Sequence, residues 1–78
     1  MEQKKTIREI LGANMRRLRK SAGMSQADCA RYCGVTRTAW GYWEAGTHAV
    51  SVDRLPGIAD AIGDTDIITL LAECKPVA

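Results

Sequence analysis

Apolar residues recur along this chain at spacings of three and four, and no segment alternates as a strand would. Ile7, Ile10, Leu11, Met15, Leu18 and Ala22 form the first such stripe, the pattern of a helix with one buried face. Thr6 and Glu9 fit a capping box ahead of it, and Gly23 stops it, so the spacing predicts a helix over 6–22. Ser25, with Asp28 three residues on, marks the cap of a second helix over 25–33. Its inward positions are Ala27, Ala30 and Cys33. After Gly34, Thr36 caps a third helix over 36–44, which Gly46 ends. The second and third helices are short, so packing must hold them. The link Gly34-Val35 permits the sharp bend of a helix-turn-helix.

Trp40 and Trp43 are three apart and share one face, the expected buried side of the third helix. Thr36, Arg37, Thr38, Gly41 and Tyr42 remain outside: a guanidinium, two hydroxyls, a phenol and bare backbone, the makings of a contact surface. Ser51 or Asp53 caps a fourth helix reaching Ile62, with Leu55, Ile58, Ala59 and Ile62 inward. Pro56 removes one backbone bond there, so the start of this helix should be distorted or delayed. Asp66 caps a fifth helix to Glu73 carrying Ile67, Ile68, Leu70 and Leu71. The expected fold is all-α, a compact five-helix bundle. Residues 1–5 read as a flexible basic N-terminus, 6–73 as the single domain and 74–78 as a frayed tail.

The 78 residues fit one domain, near the lower size limit for folding alone. No apolar run approaches the roughly 20 residues of a membrane span, and the N-terminus lacks a signal-peptide core. Three cysteines without framework spacing point to a reduced, cytoplasmic setting. The net charge of +2 hides an asymmetry. Residues 1–37 hold nine Lys/Arg against three acids, and residues 38–78 hold two against six. A basic half joined to an acidic half suggests a face for a polyanion.

Candidate chemistry beyond binding is thin. Cys29, Cys33, Cys74 and His48 are the one conceivable zinc set, but they lack a CxxC and would have to converge from distant segments. Core thiols are the favoured reading. His48 has no acid or nucleophile neighbour in sequence, and Asp64 and Asp66 lack the remaining ligands of a cation loop. No enzyme activity, cofactor, metal or small-molecule substrate is expected.

The stretch "LGANMRRLRKSAGMSQADCARYCGVTRTAWGYWEAG" resembles the lambda-repressor-like, Xre-type helix-turn-helix family. The resemblance runs from about Leu11 to Leu71 and is most specific in "RRLRKSAGMSQADCA", "CGVTRT" and "WEAG". It implies that the third helix enters the DNA major groove while the second lies across the backbone. Carried over by position, Thr36, Arg37, Thr38 and Tyr42 would contact bases. Arg16, Ser25, Gln26, Gly46 and Thr47 would contact the DNA backbone, the last two through loop amides. Arg19 and Glu44 would form an internal ion pair. Trp40 stands where the family has an aliphatic residue, Cys29 and Cys33 where it has leucine-like side chains. Pro56 and Gly57 interrupt a helix that it keeps regular, and Asp64 adds one residue before the fifth helix.

The implied function is a sequence-specific transcriptional regulator of double-stranded DNA, a repressor acting as a weak homodimer on an inverted repeat. The dimer surface would lie around the fifth helix and the loop before it, and control by abundance or by a regulatory protein partner fits better than an inducer. A phage regulator, a restriction–modification controller and an antitoxin-type autoregulator all match. The reading from another class is a protein-interaction adaptor, or an antitoxin-type partner-binding protein, that has kept the fold.

Overall fold

The computed structural model describes residues 5–63 and 66–72. Within them lie α1 (Ile7–Ser21), α2 (Gln26–Cys33), α3 (Arg37–Ala45), α4 (Leu55–Ala61) and α5 (Ile67–Leu71), with one 3-10 turn, Val52–Arg54, before α4. There is no strand among the described residues. Residues 1–4, Asp64, the expected end of the fifth helix at Glu73, Cys74 and the rest of the tail lie outside them.

The local signals act as their chemistry requires. Thr6 Oγ1 accepts from the Glu9 amide at 3.3 Å, and Glu9 Oε1 accepts from the Thr6 amide at 2.8 Å. Ser25 and Asp28 form a second reciprocal box at 3.0 and 3.3 Å. Thr36 caps α3 and Asp66 caps α5, each accepting from an amide three residues on. Gly34 (φ 71°) and Gly46 (φ 75°) end α2 and α3 in the left-handed region, where a Cβ would be strained. Pro56 is accommodated by delay. Ser51 caps the 3-10 turn instead, and α4 begins at Leu55. Proline then sits in the first helical turn, where its missing N–H has no intrahelical partner to lose.

Leu11, Met15, Cys29, Ala30, Trp40, Leu55, Ile58, Ala59, Ala61, Ile62 and Leu70 form the core. Four expected core positions are instead exposed: Ile7 (66%), Ile67 (36%), Ile68 (80%) and Ala22. Periodicity defines a face, but neighbours cover only part of it. Helix α1 is packed by α3 and α5, which bury Leu11 and Met15 and leave both ends of the stripe in solvent. The Cys29 and Cys33 thiols donate to the Ala61 and Gly57 carbonyls at 3.7 and 3.5 Å, which joins α2 to α4. Burial pushes both thiols up from their ordinary pKa.

Two polar or small residues of α1 decide where the other helices lie. A Cβ on Gly12 would fall 2.6 Å from the Glu44 carbonyl oxygen and would also strike that of Trp43. The bare glycine therefore sets how closely α1 and α3 approach. Asn14, 3% exposed, donates from Nδ2 to the carbonyls of Leu70 at 2.7 Å and Ala72 at 2.8 Å. It closes the end of α5 from a distant point in the sequence.

Candidate nucleic-acid interface

The inner side of α3 is organised around one carboxylate. Glu44 Oε2 accepts from Arg19 Nε at 2.6 Å and Trp40 Nε1 at 2.6 Å. Glu44 Oε1 accepts from Gln26 Nε2 at 2.9 Å and Arg19 Nη2 at 3.2 Å. Arg19 Nη1 also donates to the Met24 carbonyl at 2.8 Å. The expected Arg19–Glu44 pair is thus present, and it is buried: the two side chains are 10% and 4% exposed. Burial pushes the Glu44 carboxyl up, but the bonds from Arg19, Gln26 and Trp40 outweigh it, and the group lies below the ordinary glutamate value. The hydrogen bond to Glu44 holds the Arg19 guanidinium more strongly protonated than usual. A fork-to-fork pair of this kind adds geometric definition as well as energy. One anion fixes α1, α2 and α3 relative to one another.

The larger ring at position 40 also has a role. Trp40 is fully buried, and its indole supplies a donor that an aliphatic residue could not. Trp43 is only half-buried, tilted 57° to Trp40 at 6.0 Å between centroids. Its ring lies under the Arg54 guanidinium at 5.9 Å. Arg54 Nη1 also donates to the Cys33 carbonyl at 3.2 Å, a cation placed at the C-terminal end of α2, where the helix dipole favours it.

The outer side of α3 differs. Thr36, Arg37, Thr38 and Tyr42 are all exposed, Tyr42 at 47%. Beyond its chain neighbours and the backbone of its own helix, a Cβ on Gly41 would meet no atom within 4 Å, so this side is open to close approach. Ser25, the cap of α2, and Arg16 on α1 are exposed. Gln26 is half-buried with its amide engaged by Glu44.

The turn after α3 departs from expectation. Gly46 is buried against Glu9. The Gly46 amide donates to Trp43 O and the Thr47 amide to Tyr42 O, each at 3.2 Å. These bonds cap α3, so neither amide is a free donor; the exposed Thr47 hydroxyl donates to Tyr42 O at 3.3 Å. The sequence shows that a glycine ends the helix, but not how many amides the end consumes. One arrangement at this turn escaped the sequence reading altogether: the His48 imidazole stacks on the Tyr42 phenol, 4.3 Å between centroids and 17° between planes.

No group of three or more His, Cys, Asp or Glu among the described residues is placed to hold a metal. None of their helices is long and apolar enough to cross a membrane.

Residues 10–66 match the family model described as a helix-turn-helix domain. A comparison with curated protein sequences gives no match. Among solved structures, the clp gene regulator ClgR from Corynebacterium glutamicum superposes with a TM-score of 0.81 at 26% identity, covering 87% of each chain. The restriction-modification controller protein C.AhdI from Aeromonas hydrophila gives 0.75 at 30% identity, over 81% of this chain and 94% of its own. The hypothetical transcription factor NHTF from Neisseria gives 0.80 at 29%, over 94% and 85%. With the family model spanning most of the chain and the bundle geometry shared, the chain belongs to the helix-turn-helix family of DNA-binding transcriptional regulators, in its lambda-repressor-like, Xre-type branch.

Proposed function

We propose that the protein is a sequence-specific repressor that binds an inverted-repeat operator as a weak homodimer, with α3 in the major groove. The observation that carries this reading is the division of α3. Its inner side is locked to α1 and α2 through Glu44, and its outer side presents Arg37, Thr38 and Tyr42 unburied. A rigidly held helix with free polar ends can be read against base edges. Arg37 pairs with guanine O6 and N7, Thr38 offers a methyl to thymine and a hydroxyl to either partner, and Thr36 and Tyr42 contact adjacent bases. Arg16, Ser25 and Gln26 approach phosphates. At the end of α3 the backbone contact passes from the engaged Gly46 and Thr47 amides to the Thr47 side chain.

The second copy meets the first through α5, where Ile67 (36%) and Ile68 (80%) leave apolar surface uncovered. The half-sites then lie about one helical turn apart, roughly 34 Å. The regulatory roles in the names of ClgR and C.AhdI support this reading.

The test is selection from random duplex DNA, followed by a salt titration of the enriched site. Enrichment of an inverted repeat whose affinity falls steeply with salt is expected. Salt-sensitive binding without enrichment would remove sequence specificity from the proposal, and no binding to any duplex would overturn it.

A further inference from the structure

We propose that His48 is a specificity-setting residue that acts through Tyr42, the two rings forming one composite reading element. The proposal rests on the reading that Tyr42 faces bases. Tyr42 stands on α3 with a long side chain, 47% exposed. The only aromatic ring stacked on it among the described residues is that of His48, nearly parallel at 4.3 Å.

His48 is itself held in place. The Thr47 hydroxyl lies 3.3 Å from the Tyr42 carbonyl. The same Thr47 oxygen lies 3.1 Å from His48 Nδ1, within hydrogen-bond distance. The Thr47 amide bonds the same Tyr42 carbonyl at 3.2 Å. Backbone, hydroxyl, imidazole and phenol thus close a ring of contacts that begins and ends on Tyr42. A flexible phenol would lose rotamer freedom on reaching a base. The stack orders it beforehand, so less freedom is lost for the right duplex. The turn after α3 therefore contributes to sequence choice through a side chain, although its Gly46 and Thr47 amides are engaged in ending the helix.

The experiment compares H48A, H48F, Y42A and the H48A/Y42A double variant on the selected duplex and on a random-sequence duplex across a salt series. H48A is expected to weaken the selected duplex about three- to tenfold, the scale of one aromatic pair. The random duplex, the salt slope and the melting temperature should stay unchanged. H48F, which keeps the stack without the imidazole nitrogens, should restore most of the loss. In the Y42A background H48A should add nothing. In the free protein, the ring-current displacement of the Tyr42 proton resonances should vanish in H48A.

If H48A weakens both duplexes equally and flattens the salt slope, His48 is a phosphate contact and the proposal falls. It falls equally if H48A retains its full effect beside Y42A. If Y42A leaves the sequence preference intact, the reading role of Tyr42 fails, and that of His48 with it.

Discussion

The two sides of α3 are built from similar residue types and do opposite things. On the inner side, every polar group named is matched: one carboxylate takes donors from Arg19, Gln26 and Trp40 in a nearly dry setting. On the outer side, Arg37, Thr38 and Tyr42 reach into solvent. The difference separates two kinds of energy. Inner contacts define where the helix is, and their loss appears as instability. On the proposed reading, outer contacts define what the helix recognises, and their loss should appear only when a duplex is present.

The strongest way to break this division is Glu44→Ala. It leaves Arg19 buried without its counter-ion, and loss of one partner of a buried pair costs about 3–5 kcal/mol. Chemical denaturation should show that loss, and DNA binding should fail at temperatures where the variant is unfolded. Gly12→Ala comes next. Its Cβ meets backbone rather than a movable side chain, so α1 and α3 must part, at about 2–3 kcal/mol. For a domain of this size that lowers the melting temperature by roughly 8–24 °C.

Acid should act on the inner side with a definite sign. Glu44 has a lowered pKa in the folded chain, so its stabilising effect is complete above the ordinary glutamate value, about 4.3. That effect is lost as pH falls from there through the lower folded value. The capping carboxylates Glu9, Asp28 and Asp66 are lowered too, each chiefly by a backbone hydrogen bond, and act in the same direction. Denaturation midpoints measured between pH 7 and 3 should fall in the wild type, and fall less steeply in Glu44→Gln. The smallest effect on stability is Arg37→Ala, within about 0.5 kcal/mol. The same change should cost about 1–3 kcal/mol in affinity for the selected duplex and relax preference at one base step.

What could be read in the sequence follows the same line. Helix starts and stops were legible at Thr6, Ser25, Thr36 and Asp66, because a cap is a local bargain between a side chain and an amide three residues on. The delayed start of α4 followed from Pro56 for the same reason. The Arg19–Glu44 pair was legible only through family resemblance, since 25 residues separate its members. Gly12, Asn14 and the Trp40 indole carried no local signal. Each has its meaning in a crossing between helices. The exposure of Ile7 and Ile68 was hidden for the complementary reason, because periodicity names a face without saying how far a neighbour extends along it.

Asn14 has a consequence for the order of assembly. A helix as short as α5 cannot persist in isolation, and its last carbonyls find their donor 56 and 58 residues earlier in the chain. Contacts so far apart form late. Helix α5 is therefore expected to dock after α1 has found its place and to be the first element to leave when the domain begins to open. On the proposed dimer, the surface offered to a second copy would then exist only on a finished monomer, and assembly on DNA would include its own check that folding is complete.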